Sequence, residues 1–164
     1  MRFAPFLTSI ALLTLIIGCA HSTPHSNALK PFTTDGCSMW VEGTSTEPYL
    51  WHNCCVAHDK DYWIGGSATQ RKISDEKLRE CVKDVAGEAM AKEMYAGVRL
   101  GGGPYWLTPY RWGYGWSYFD GITPRGNKIP SAQEQRLIDA LMPATEKIIA
   151  ADAIRHQPGS EKQN

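Results

Sequence analysis

Between Cys54 and Tyr62 the chain reads Cys-Cys-Val-Ala-His-Asp-Lys-Asp-Tyr, gathering two thiols, an imidazole and carboxylates into about two and a half turns if the stretch is helical. On a helix Cys54, His58 and Tyr62 recur every fourth residue along one face, and Cys55 and Asp59 along the next. An imidazole that titrates near neutrality suits a general base taking a proton from water, which is the role open to His58. The carboxylate of Asp59 suits a hard cation such as calcium. The thiols offer disulfides or, where reduced, a zinc site with His58. That site, like a phosphohydrolase centre built on His58 and Asp59, lacks well-spaced further ligands.

Three helical regions must position these groups. The first spans about Leu50 to Ile64 and stops at Gly65-Gly66. The second runs from Thr69 to about Met94, with Leu78, Cys81, Val82, Val85, Ala86 and Ala89 at the spacing of a buried stripe, weakened at Gly87. The third opens at Ser131-Ala132-Gln133-Glu134, a capping-box pattern, carries Leu137, Ile138 and Leu141 on one side, and is expected to kink or break at Pro143. The short link Gly65 to Ala68 makes the first two helices antiparallel neighbours. From Gly101 to Phe119, Tyr110, Trp112, Tyr114, Trp116 and Tyr118 alternate with Arg111, Gly113, Gly115 and Ser117, which predicts an extended strand with five aromatics on one side. Such a face closes the core or meets a lipid interface, and the core is the preferred reading.

Arg2 precedes an apolar run from Phe6 to Ile17, too short and too interrupted by Thr8, Ser9 and Thr14 for a membrane span, so residues 1–18 read as a signal peptide. The run ends Ile16-Ile17-Gly18-Cys19, similar to a bacterial lipobox in which the cysteine is acylated and becomes the new N-terminus. Ala20 after that cysteine, by resemblance to lipoprotein sorting rules, implies anchoring at the periplasmic face of an outer membrane, with secretion as the alternative. Residues 19–34 read as a polar tether, 35–155 as one domain and 156–164 as a polar tail. Setting Cys19 aside leaves Cys37, Cys54, Cys55 and Cys81, an even set in an oxidising compartment. Adjacent cysteines bridge each other poorly, so Cys54 and Cys55 go separately to Cys37 and Cys81, and both such pairings remain open. The 17 Lys and Arg balance the 17 Asp and Glu, which removes the electrostatic case for nucleic-acid binding.

Cys54-Cys55-x-x-His58-Asp59-x-x-Tyr62 resembles the active-site helix of secreted phospholipase A2, and every defined position of that motif is matched. The resemblance covers roughly Asp35 to Cys81 and implies a mainly α fold: an antiparallel helix pair stapled by Cys37–Cys55 and Cys54–Cys81, with a metal-binding loop. It also implies that Asp75, six residues before Cys81, orients the catalytic His58. Helical rise is compatible with this. His58 lies about 6 Å beyond Cys54 and Asp75 about 9 Å before Cys81, so joining the two cysteines brings Asp75 near the level of His58. Without that coincidence Asp75 reads as a carboxylate favoured near a helix N-terminus.

For calcium, Asp59 supplies one carboxylate. Asp35-Gly36-Cys37 looks like the loop opening of bacterial phospholipases A2, which implies ligands from the Asp35 side chain and the Gly36 carbonyl. The same dipeptide also serves as a simple Asp-Gly turn. The glycine-rich run of vertebrate-type loops is replaced by Ser38-Met39-Trp40-Val41-Glu42-Gly43, and Glu42 is either a further ligand or solvated. Tyr62 is expected to hydrogen-bond Asp75 or simply to fill the core. His52 lies about 240° round the helix from His58 and is expected at the surface, with His21, His25 and His156 in polar end segments. The implied activity is calcium-dependent hydrolysis of a phospholipid ester at a membrane surface. The alternative is a catalytically silent module that binds lipid or an envelope partner.

Overall fold

A computed structural model describes residues 28–157, so residues 1–18, Cys19 and most of the expected tether and tail lie outside the described residues. Helix α1 spans His52–Ile64, α2 spans Ala68–Gly101, and α3 spans Ala132–Arg155, while β1 (Phe119–Asp120) and β2 (Thr123–Pro124) form a minimal antiparallel hairpin. The protein is thus mainly helical, and its four described cysteines form two disulfides, Cys37–Cys55 and Cys54–Cys81. Each closes a loop of 18 or 27 residues, constraining the unfolded chain by about 3 kcal/mol in the loop-entropy picture.

Ser67 caps α2 and Ser131 caps α3, each in a reciprocal box with the residue three places on, Gln70 and Glu134. Helix α1 has no side-chain cap at its start. Its last carbonyls are instead taken up by the aromatic segment: Gly113 N–H donates to Tyr62 O, Gly115 N–H to Trp63 O, and the Trp116 indole to Ile64 O. This overturns the expected strand. Residues 102–118 form successive turns, with Gly113 at φ 74°, because two indoles and the glycine amides seek the free carbonyls at the end of α1. Trp112 and Trp116 are buried, while Tyr110, Tyr114 and Tyr118 are only partly so.

The second helix is longer than its pattern suggested and is folded in two. Gly87 stands at φ 85°, ψ 169°, a conformation open essentially to glycine alone, and the arms on either side of it lie back against each other. Arg99 reaches Asp75, 24 residues earlier, whereas a straight helix would hold them roughly 36 Å apart. The fold-back also breaks the predicted stripe. Leu78 and Val82 are buried before the bend and Ala91 and Met94 after it, while Cys81, Val85 and Ala89 are exposed. Pro143 does not interrupt α3, which is held before it by buried Ile138 and after it by buried Thr145 and Asp152, while Leu137 is exposed.

Helix α1 is buried on two sides. Trp51, Cys54 and Cys55 pack on the α2 arms with Leu78, Val82, Ala91 and Met94. Trp63 packs in a second cluster with Leu29, Phe32, Trp116 and Ile138. Leu29 and Phe32 fall in the stretch expected as tether, yet they are part of the packed domain, and Lys30 O accepts the Trp63 indole. Burying most of a five-residue aromatic and aliphatic cluster is worth several kcal/mol, at about 1.5–3 kcal/mol per large side chain.

Candidate active site

Running along α1 from Cys54 to Tyr62 while running back along α2 from Cys81 to Arg71, the two helices lie antiparallel, and their register sets the site. Cys54 joins Cys81, His58 faces Asp75, and Tyr62 lies between Asp75 and Arg71. His58 Nε2 is 2.8 Å from Asp75 Oδ1, and the Tyr62 hydroxyl donates to the same oxygen at 2.7 Å. Arg99 Nη1 donates to the other carboxylate oxygen at 2.5 Å, and Arg71 Nε donates to the Tyr62 hydroxyl at 3.2 Å. Asp75 has no exposed surface. Burial opposes its charge, but hydrogen bonds from His58, Tyr62 and Arg99 together outweigh that and hold the carboxyl below its ordinary range. A charged Asp75 accepting from Nε2–H leaves Nδ1 as the nitrogen of His58 that can take a proton. Burial, then Asp75, push the Tyr62 hydroxyl up, so it stays a donor.

His58 lines a cavity of about 310 Å³ whose walls are mostly apolar, among them Met39, Trp40, Leu78, Met94 and Val98, with Ser38 and Asp59 as polar exceptions. Gly97 and Gly101, one turn apart on the second arm of α2, leave room in its wall. A smaller cavity of about 230 Å³ adjoins it, lined by Thr33, Thr34, Asp35, Asp59 and Tyr114 among others. Asp59 borders both. Its carboxyl is buried and pushed up to about 8, chiefly by desolvation and further by Asp35 and Asp152, while the Thr34 hydroxyl bond at 2.6 Å works the other way. No Lys or Arg pairs with Asp59 among the described residues. A buried carboxylate with acidic neighbours and no cation partner, beside the hydroxyls of Thr33 and Thr34, is a donor set that fits a hard, oxygen-loving ion. Asp35 makes a turn as well, its Oδ1 accepting from the Ser38 hydroxyl at 2.7 Å, and Gly36 takes φ 75° and lines the larger cavity.

Other residues stand elsewhere than expected. The zinc alternative at Cys54, Cys55 and His58 is closed, because both sulfurs are in disulfides. His52 is not at the surface: its ring is 2 % exposed, with Nε2 2.5 Å from Asp152 Oδ2 and Nδ1 3.1 Å from Glu42 Oε1. The helical-wheel argument placed it correctly away from His58, but that side of α1 meets the end of α3 rather than water. Glu42 is therefore a neighbour of His52. His156, expected in a polar tail, caps α3 with its ring 4.3 Å from that of His52. Arg71 and Arg99 went unread. Arg71, four residues before Asp75, carries an i,i+4 signal, whereas Arg99 has none, because only the bend at Gly87 brings it back.

Comparison with protein-family models, with curated proteins and with solved structures found no match to this chain.

Proposed function

We propose that this chain is a calcium-dependent carboxylic ester hydrolase of the phospholipase A2 kind, acting on the sn-2 acyl ester of membrane phospholipids. The observation that carries the reading is the His58–Asp75 pair opening into an apolar cavity, with the uncompensated carboxylate of Asp59 at the same wall. His58 Nδ1 takes a proton from a water molecule, and that water attacks the ester carbonyl. Asp75 fixes the tautomer of His58 and stabilises the imidazolium that forms, while Tyr62, Arg71 and Arg99 hold Asp75 in place. Calcium, held by Asp59 with Asp35 and Gly36, would supply positive charge against the negative oxygen developing on the carbonyl. The apolar walls exclude water from the bound acyl chain. Exposed Met39 and Trp40 in the loop after Cys37, Leu100 in the last turn of α2, and Trp106 and Leu107 beyond it offer apolar contact to a lipid surface beside lining residues of the cavity. An acylated Cys19 would hold the domain at the periplasmic face of the outer membrane.

The same exposed apolar residues favour a second reading, a lipid-binding envelope module without turnover. Incubating the full chain with mixed phospholipid vesicles, in calcium or in chelator, separates the two. Calcium-dependent release of fatty acid is expected. Vesicle binding without release supports the silent module, and release that ignores chelator sinks the calcium mechanism.

A further inference from the structure

We propose that His52, Asp152 and His156 form a second metal site, one for a borderline transition-metal dication of the zinc class, clamping the end of α3 to the start of α1. Each of the three offers one ligand atom, and these atoms lie within 4.8 Å of one another. Asp152 and His156 sit four apart at the end of α3, a spacing that puts two donors on one helix face, and His52 comes from 100 residues away. Asp152 is at the centre: Oδ2 is 2.5 Å from His52 Nε2, and Oδ1 is 3.1 Å from His156 Nδ1. Ligand atoms on one zinc stand roughly 3–3.5 Å apart, so closing round an ion takes only small side-chain rotations. Two imidazoles and a carboxylate suit zinc, copper or nickel, whereas the all-oxygen surroundings of Asp59 suit calcium.

Without an ion the cluster is poorly satisfied. His156 Nδ1 is buried without an aligned hydrogen-bond partner, and His52 Nδ1, likewise buried, has Glu42 beside it. Asp152 gathers both rings, whose centroids are 4.3 Å apart, and Arg155 Nη2, 3.2 Å from Oδ1, so three groups converge on one carboxylate. One dication would take the lone pair of a nitrogen from each ring together with a carboxylate oxygen. Glu42 Oε1, 3.1 Å from His52 Nδ1, is placed as the outer carboxylate that steadies a ligating histidine and leaves Nε2 to the metal. Tyr49 closes the site, its ring 4.8 Å from His156 and 5.8 Å from His52.

The site also backs the loop that carries Asp35 and Gly36. A Cβ at Gly36 would collide with Glu42 Oε1 and with the His52 ring, so the loop rests directly on this pair. Metal at His52 therefore steadies the wall behind that loop, whether or not the loop holds calcium.

Metal binding tests this without reference to hydrolysis. The full chain, stripped of metal and then kept in saturating calcium, is titrated with zinc by calorimetry and with cobalt by visible absorbance. One zinc per chain and a cobalt ligand-field band are expected, both surviving replacement of His21 and His25 by alanine. His156→Ala, at a partly exposed helix end where folding tolerates it, should weaken zinc binding at least about 100-fold and abolish the band. Asp152→Asn should do the same if it folds. Absence of zinc binding in the wild type, binding unchanged in His156→Ala, or binding lost only with His21 and His25 overturns the proposal.

Discussion

His58 and His52 stand on the same helix, each with Nε2 against a buried aspartate, yet their surroundings differ in sign and in access. The aspartate facing His58 is answered by Arg99 and Tyr62, so its charge is settled and the ring's second nitrogen is left to a cavity. The aspartate facing His52 shares its oxygens with a second histidine and Arg155, and His52's second nitrogen meets Glu42 rather than open space. A histidine–carboxylate contact is therefore not by itself a catalytic dyad. In the proposed roles, what separates His58 as base from His52 as ligand is whether the free nitrogen faces room for water.

The comparison breaks most sharply at the imidazoles. His58→Gln should keep the fold and lower turnover by about 10²–10⁴-fold, since nothing replaces the proton acceptor. His156→Ala, in the other cluster, should lower turnover far less than His58→Gln, because His156 itself lines neither cavity. Equal losses in both, measured as kcat on phospholipid vesicles, would erase the distinction.

Asp59 gives the next largest effect, read as stability against pH. Its carboxyl ionises at about 8 when folded but near 3.8 when unfolded, so the metal-free folded state holds a proton that the unfolded chain has released. The Asp59 contribution is then fully present below about pH 4 and declines by an order of a few kcal/mol as pH rises towards 8. Denaturation in chelator should show this slope, Asp59→Asn should flatten it, and calcium should offset it in the wild type alone. A wild type whose metal-free stability is level from pH 4 to 8 would mean that Asp59 is not desolvated as the structure has it.

Arg99→Met sharpens the contrast at Asp75 on a smaller scale. Asp75's depressed value contributes stability above its ordinary 3.8 that is lost as pH falls below it. Removing the partly exposed Arg99 should cost about 1–2 kcal/mol and move the acid limb of kcat/KM to higher pH. An unmoved acid limb would show that His58 and Tyr62 hold the carboxylate unaided.

Arg99 also marks the limit of what could be read from residue order. The His58–Asp75 contact was an expectation of the motif resemblance, which also supplied the Cys54–Cys81 pairing, and helix rise over short separations was compatible with it. The capping boxes at Ser67-to-Gln70 and Ser131-to-Glu134 are equally local, although only the second was read. The reversal at Gly87 was not legible, because a glycine in a helical pattern signals weakness but not direction, and everything beyond it loses phase. The aromatic alternation misled for a related reason: period two describes a strand only where the backbone is free to pair. Here the carbonyls of Ile64, at the end of α1, and of Gly66, just beyond it, hold the indoles instead. The His52 cluster was invisible since its partners are 100 residues distant.

The smallest expected effect compares two tyrosines. Tyr62 lies tilted against His58 at 4.1 Å and Tyr49 meets His52 edge to face at 5.8 Å, but only the Tyr62 hydroxyl bonds the aspartate that faces its histidine among the described residues. Tyr62→Phe keeps the ring against His58 and against Trp112 and removes one donor to Asp75 and one acceptor for Arg71. Arg71 retains the carbonyls of Val98 and Arg99, and Asp75 retains His58 and Arg99. The loss should therefore be about 0.5–1.5 kcal/mol in stability and less than about tenfold in kcat, with KM unmoved. Tyr49→Phe should change neither. A fall in kcat of about 10³-fold for Tyr62→Phe would instead place its hydroxyl in contact with the reacting atoms, because one neutral hydrogen bond to a positioning group cannot supply that much.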